Sequence, residues 1–579
     1  MADADSNDWI VLLEGRPLSA FKQQYGPRAE LNESQKNMVR GQMRLLDIEQ
    51  SSFLAAARRQ GLNLIVQRSY SYLLNGLAVS IPMGEVERLT ALRGVRAIYP
   101  DRQVHLELAD SVQMIGADDV WQMLDSNQVT VTGQGVRVAV VDTGIDYTHP
   151  DLGGCFGPGC KVVGGYDLYN LDNDPRDDNG HGTHCAGIVA ADGSLKGVAP
   201  GASLYAYKVL SAAGTGSVSV IIAGIEQAAD PDQDPTTNDS VDIISMSLGV
   251  PGTPDDPWSL AVDAAVQQGI IVAVSAGNSG PDYASMEAPG LARGSIAVGA
   301  VDKSDMIAAF SSRGPVPGYE ELLKPDLLAP GVDIVSTYLD GTYASSSGTS
   351  MAAPHVAGAA ALIKQMHAAW TADQIQANLM NAALDLGLNL YTQGAGRLQV
   401  HRAVLMPGLV TPAKASFGAV NLSQPRWSDT RLFWLENISE TVRSYRIYAE
   451  TLLPDSVSVM VEPDSLTLQP GEKRSFLATL TVDPLQTPPD LERNEGSIRI
   501  QQGEVVLRVP FAFTMPPIYG DSRILPFDLQ TSYAVALHDL DGDGDLDAFI
   551  GNTSYYDNPA NTVWLNVGAG NFTDTGQRL

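Results

Sequence analysis

Hydrophobic and polar positions change period several times along the chain. Asp8 to Gly15 reads as a strand, Leu31 to Gln60 has helical spacing with Gly61 as a stop, and Leu64 to Pro82 reads as two strands broken near Asn75-Gly76. Glu85 to Leu92 reads as a short helix and Val95 to Tyr99 as a strand, which completes the β-α-β-β-α-β order of a ferredoxin-like α+β domain. Ala109 to Asn127 reads as a linker. From Val136 the pattern becomes mostly apolar strands alternating with helices. The strands are Val136 to Val141, Leu204 to Leu210, Val241 to Met246 and Ile270 to Ser275, and the helices are Val218 to Ala229, Trp258 to Gln268 and a buried one beginning at or near Ser350. Strands apolar on both faces and separated by helices predict an α/β fold with a doubly wound parallel sheet. After His401 short alternating strands take over: Arg431 to Leu435, Val442 to Glu450, Val457 to Val461, Arg474 to Val482, Gly496 to Gln501 and Glu504 to Phe513, with Pro and Gly between them. They predict a β-sandwich of immunoglobulin or fibronectin-III type, read as a spacer or docking module.

Chemistry enters at three places. Asp142 stands at the C-terminal end of Val136 to Val141, the edge where open α/β sheets collect ligands. His181 sits between two glycines in Asn179-Gly180-His181-Gly182-Thr183-His184-Cys185 at the start of an apolar helix. Ser350 lies in Gly348-Thr349-Ser350-Met351-Ala352-Ala353-Pro354-His355, where an unpaired first-turn N–H and the positive helix end favour a developing oxyanion. The order Asp, His, Ser differs from the Ser, acid, His order of α/β-hydrolases and from the His, Asp, Ser order of the chymotrypsin type.

Asp142-Thr143-Gly144-Ile145-Asp146, His181-Gly182-Thr183-His184 and Gly348-Thr349-Ser350-Met351 together resemble the signatures of the subtilisin-like serine proteases, the subtilases, in family order. The resemblance covers roughly residues 9 to 403. It implies a secreted, self-processing serine endopeptidase of broad specificity, with Ser350 as nucleophile, His181 as general base and acid, Asp142 as its orienter and Asn278 as oxyanion donor. It makes Gly214, Thr215 and Gly216 one edge, and Ser247, Leu248 and Gly249 the other, of a cleft for an extended peptide. Ser275, Ala276 and Gly277 look like a pocket wall without an acidic residue, although Glu287 lies in a loop within reach. The ferredoxin-like domain resembles an inhibitory propeptide, cut from the enzyme between Leu108 and Ala109 after an extended tail. Many subtilases carry a calcium loop after the histidine helix; here Ala190 to Val198 is too short for it. Asp539, Asp541, Asp543, Asp545 and Asp547 alternate around glycines between Tyr533 to Leu537 and Ala548 to Ile550, and resemble the calcium-binding FG-GAP repeat of β-propellers, here incomplete.

The domains expected are therefore 9–108, an inhibitor-type propeptide; 109–403, the peptidase; 404–517, the sandwich; and 526–579, an incomplete calcium-binding repeat, so that the chain is read as either truncated or a fragment of a longer protein. No cofactor is expected for catalysis, and Ca2+ is expected as a structural ion of the 539–547 loop. Composition narrows the partners. With 37 Lys and Arg against 67 Asp and Glu among 579 residues, the net charge of −30 argues against nucleic acid and anionic membrane. No apolar run reaches membrane-spanning length and no signal peptide opens the chain, whose residues 1–8 read as a trimmed or engineered start. The partners expected are polypeptide substrates and the chain's own propeptide, for a monomer. Cys155 and Cys160 enclose a tight Phe-Gly-Pro-Gly turn and are read as a disulfide, which fits an extracellular enzyme; a zinc site would need two further ligands. Cys185 is read as a buried thiol. Asp172, Asp174, Asp177 and Asp178 read as a solvated acidic loop, with a cation site as the alternative. The competing class is a binding protein on a catalytically silent fold.

Overall fold

The computed structural model describes residues 8–22, 32–71, 75–100, 108–234, 239–451, 453, 456–484, 486–487, 494–515, 532–538, 547–552, 562–566 and 572–578. The chain divides into two compact units, Met1–Leu106 and Glu107–Leu579.

In the first unit, strands β1 (Asp8–Leu13), β2 (Ile65–Tyr70), β3 (Gly76–Ser80) and β4 (Val95–Pro100) form an antiparallel sheet of order β2-β3-β1-β4. The helices are α1 (Leu18–Lys22), α2 (Glu33–Arg59) and α3 (Val86–Thr90). A capping box fixes the start of α2: the Asn32 side chain accepts from the Gln35 N–H at 2.9 Å, and the Gln35 side chain accepts from the Asn32 N–H at 2.9 Å. Phe53 and Ala57 of α2 bury against Val11, Leu13, Leu77 and Val79 of the sheet. This is the ferredoxin-like order read from the sequence.

The second unit opens on helices α4 (Leu108–Met114) and α5 (Ala117–Val120), where a linker was expected. Val112, Ile115, Ala117 and Val120 are buried, so this stretch belongs to the core. Seven strands follow: β5 (Arg137–Asp142), β6 (Val162–Asp167), β7 (Ser203–Lys208), β8 (Ile243–Met246), β9 (Ile271–Ser275), β10 (Ile296–Val301) and β11 (Leu327–Pro330). They form a parallel sheet of order β11-β10-β9-β8-β5-β7-β6. Because β5 is apolar on both faces, alternate residues serve two cores. Val138 and Val140 join helices α6 (His181–Ala190) and α9 (Thr349–Met366), while Ala139 and Val141 join α7 (Val218–Ala229) and α8 (Pro257–Gln267). The order reverses at β5, since β7 lies on one side of it and β8 on the other, and a crevice opens at such a switch point. The hairpin β12 (Ile334–Tyr338) and β13 (Thr342–Ser346) precedes α9; α10 (Ala372–Asn381), α11 (Leu390–Gln393) and α12 (Val400–Val404) close the domain.

The sandwich packs the sheet β14 (Gly408–Thr411), β16 (Trp427–Asn437), β20 (Lys473–Val482), β18 (Val457–Glu462) against a sheet of order β15 (Ala415–Ala419), β22 (Val505–Thr514), β21 (Glu495–Gln502), β17 (Arg443–Thr451), β19 (Ser465–Leu468). Phe417 and Phe511, and Phe433 and Phe476, pair inside it. It is more than a spacer. Its core is continuous with that of the α/β domain, and Lys414 donates to Leu323 O and to the buried Asp326, which Lys324 also engages at 2.8 Å. Last, β23 (Ser532–His538), β24 (Asp547–Asn552), β25 (Thr562–Asn566) and β26 (Phe572–Arg578) pair in sequence as an antiparallel meander. Asp539, Asp541, Asp543 and Asp545 lie outside the described residues, and Asp547 opens β24. Among the described residues no helix is long and apolar enough to cross a membrane.

Candidate active site

The crevice holds the sequence-predicted residues. β5 ends at Asp142, buried completely, whose Oδ1 accepts from the Thr143 N–H at 2.7 Å and from His181 Nδ1 at 2.7 Å. His181 opens α6, and the side chain is 32% exposed. The Asp142 carboxylate raises its pKa above the ordinary histidine value, against the opposing effect of burial. Gly180 before it has φ +103, and a Cβ there would meet the Tyr338 ring at 2.3 Å, so only glycine fits.

The acidic loop before His181 is built, not merely solvated. The Asp177 carboxylate accepts from the N–H groups of Asn179, Gly180 and Thr183 and from Thr183 Oγ1 at 2.6 Å, capping α6 from within the chain. Asp174 accepts from Tyr147 Oη at 2.5 Å. Asp178 meets Lys208, the group that motif reading missed. Lys208 faces Asp142 in the β5–β7 pairing, is 1% exposed, and spends its ammonium on Thr143 O at 2.8 Å, Leu210 O at 2.9 Å and Asp178 Oδ1 at 2.6 Å. One cation thus ties the ends of β5 and β7 to the loop that carries His181. The only sequence signal was a lysine at the end of an apolar strand.

Ser350 is the second residue of α9, so its N–H has no acceptor inside the helix. Its Oγ donates to Ser247 O at 3.2 Å, and no hydrogen bond joins it to His181 in this arrangement. Pro354 explains the far side of the residue. A proline cannot donate to the carbonyl four residues back, and the freed Ser350 O accepts instead from Ser247 Oγ at 2.8 Å and Cys185 Sγ at 3.4 Å. Burial pushes the Cys185 thiol well up, which suits packing and not nucleophilic chemistry. Asn278 follows β9; its Oδ1 accepts from the Thr349 N–H at 2.9 Å and from Thr349 Oγ1 at 3.1 Å, leaving Nδ2 as the donor.

Beside His181 a cavity of about 460 Å³ is lined by Gly214, Thr215, Gly216, Ser247, Leu248 and Gly249, the two edges read from the sequence, together with Leu210, Val218, Ile221 and Trp258. Ser275, Ala276 and Gly277 lie at the end of the neighbouring strand β9, buried, with Ser275 Oγ donating to Leu248 O at 3.4 Å. Glu287, within reach by its place in the sequence, does meet this wall: its N–H donates to Ala276 O at 3.0 Å, and its carboxylate accepts from Ser279 Oγ at 2.6 Å. Cys155 and Cys160 are bonded, their Cα atoms 5.6 Å apart. The short loop after α6 is tied to the Asp151 carboxylate, which accepts from the N–H groups of Ser194 and Leu195 and from Tyr343 Oη at 2.8 Å. Leu108 and Ala109, expected in an extended tail, open α4 instead.

The chain's likeness to known proteins follows the same division. Residues 133–401 match the model of the subtilase family, and residues 28–107 that of the peptidase inhibitor I9 family. Serine protease AprX of Bacillus subtilis (strain 168) is 39% identical over 350 residues, 55% of this chain and 76% of that protein. Subtilisin Savinase of Lederbergia lenta is 43% identical over 268 residues, 46% of this chain and 89% of that protein. The minor extracellular protease Vpr of Bacillus subtilis (strain 168) is 29% identical over 555 residues, 66% of each chain. With Asp142, His181, Ser350 and Asn278 gathered at the sheet's switch point, this chain belongs to the subtilase family of serine endopeptidases.

Proposed function

We propose that Asp142, His181 and Ser350 form the catalytic triad of a self-processing extracellular endopeptidase, with Asn278 as the oxyanion donor. The observation that carries this is the 2.7 Å bond from His181 Nδ1 to the buried Asp142 carboxylate, beside a serine in the first turn of α9. That bond fixes the tautomer in which Nε2 is free to accept a proton. With a peptide bound, the Ser350 hydroxyl turns from Ser247 O to Nε2, loses its proton as Oγ bonds to the scissile carbonyl carbon, and the imidazolium is held by Asp142. The carbonyl oxygen, now an anion, receives the Ser350 N–H and Asn278 Nδ2. His181 then protonates the leaving amine, and water repeats the sequence to release the acyl group. An extended peptide held by backbone bonds between Gly214–Gly216 and Ser247–Gly249 would be accepted with little regard to most of its sequence.

The 9–108 domain acts as intramolecular inhibitor and is released by a cut between Leu108 and Ala109. Such a cut needs the start of α4, ahead of the buried Ser111 and Val112, to unwind. The Cys155–Cys160 bond supports an oxidising, extracellular setting. Asp539, Asp541, Asp543, Asp545 and Asp547 would hold a structural calcium ion in an FG-GAP-like repeat, their alternating carboxylates supplying its oxygen ligands. The enzyme works as a monomer. A fluorophosphonate probe tests the whole reading: the propeptide-free protein should be labelled at Ser350, and a folded protein that is not labelled would leave the silent binding module as the answer. N-terminal sequencing of the active form should give Ala109, within two or three residues.

A further inference from the structure

Strands β8 and β9 run side by side, and the nucleophile stands over the gap beyond their ends. Ser350 Oγ donates to Ser247 O on one side, at 3.2 Å, and the Thr349 N–H donates to Asn278 Oδ1 on the other, at 2.9 Å. An acyl group on Ser350 with its oxygen toward Asn278 therefore directs its side chain between Ser247–Gly249 and Ser275–Gly277. One strap crosses this gap. Ala288 exchanges both backbone bonds with Val250, at 3.0 and 3.1 Å, while the Glu287 N–H donates to Ala276 O at 3.0 Å.

The side chain on that strap is acidic and the walls are bare. A Cβ on Gly249 would stand 3.2 Å from Glu287 Oε2, and one on Gly277 would stand 2.8 Å from its Cδ. The Glu287 side chain thus packs between two positions that carry no side chain, and a Cβ at Gly277 would collide with it. Ser279 Oγ orients Oε1 at 2.6 Å, and among the described residues no lysine, arginine or histidine pairs with Glu287. Glu287 is partly buried, and Oε2 is an acceptor without a cation of its own among the described residues, beside the walls of the gap.

We propose that Glu287 makes this pocket select lysine or arginine at the residue whose carbonyl is attacked, an inference that rests on the triad reading above. A substrate ammonium or guanidinium that reaches Oε2 gains a charge-assisted hydrogen bond in a partly desolvated slot, whereas leucine or phenylalanine leaves the carboxylate facing an apolar group. The Leu108–Ala109 bond is cut under a different regime, because a tethered segment presents itself at an effective concentration in about the millimolar range.

The test uses the processed enzyme and peptide anilides identical except at the cleaved residue: Lys, Arg, Leu, Phe and Glu. Wild type should favour Lys and Arg over Leu and Phe by about ten- to a hundred-fold in kcat/KM, the range of one charge-assisted bond. Glu287→Gln, which keeps the shape and a partner for Ser279, should bring that ratio close to one. Glu287→Asp, with shorter reach, should shift the preference from lysine toward arginine. Fluorophosphonate labelling of each variant reports separately whether the site around Ser350 is folded and competent. A labelled wild type that cleaves after Leu or Phe as well as after Lys, or a labelled Glu287→Gln that keeps the basic preference, would overturn the assignment while leaving the peptidase reading intact.

Discussion

Replacing Lys208 by methionine isolates the contribution of one buried cation to both fold and site. Methionine preserves most of the apolar stem, so packing in the sheet changes little and the ammonium is what is lost. The carbonyls of Thr143 and Leu210 then lose their donor in a place where Lys208 itself is 1% exposed. Each buried acceptor left unsatisfied costs about 1 to 3 kcal/mol. Asp178, whose side chain is 51% exposed, regains water and adds little. The expected loss is about 4 kcal/mol, a large share of the roughly 5 to 15 kcal/mol that holds an ordinary domain together. Urea unfolding is measured on the Ser350→Ala background, so that self-digestion does not enter. The same replacement in active enzyme should lower kcat by at least about ten-fold in the fraction that stays folded, because Thr143 follows Asp142 directly and small displacements of a catalytic group are costly. A stability loss below about 1 kcal/mol would refute the assignment of Lys208 as the tie between the three loops.

Ser350→Ala should cut turnover by about 10⁶, and Asn278→Ala by about 10² to 10³, the magnitudes found for the corresponding groups of subtilisin, with folding retained in both. His181 must be neutral to act as base, and Asp142 holds its pKa above the ordinary 6.5, so kcat/KM should fall on acidification along a limb above pH 6.5. Asp142→Asn should move that limb to lower pH and reduce kcat by about 10⁴; a limb that stays in place would mean another group controls it. Calcium chelation should loosen the 526–579 segment, read by limited proteolysis, while the melting of the α/β domain is unchanged; the opposite pattern would put the ion elsewhere.

Much of the site was legible because its residues sit at element boundaries that hydrophobic patterning marks well. Apolar runs fix where β5, β8 and β9 end and where α6 and α9 begin, and Asp142, Asn278, His181 and Ser350 occupy those ends. The strand Val162–Asp167, with two glycines, and the short strands Gly408–Thr411 and Ala415–Ala419 escaped the reading, since their pairing comes from neighbours remote in sequence and not from their own composition.

The linear sequence determined the α/β alternation, the order of the triad, the cap that starts α2 and the proline that frees the Ser350 carbonyl, all of which depend on residues within a few positions of one another. Tertiary structure alone decided how charge is distributed. Nothing local indicates that Lys208 is buried against Asp178, or that Glu287, within reach by sequence, packs between Gly249 and Gly277 with no cation paired to it among the described residues. A charged side chain reads as solvated surface until the chain returns to bury it, and whether it then serves as a tie or a selective pocket depends on groups brought to it by pairings across the sheet.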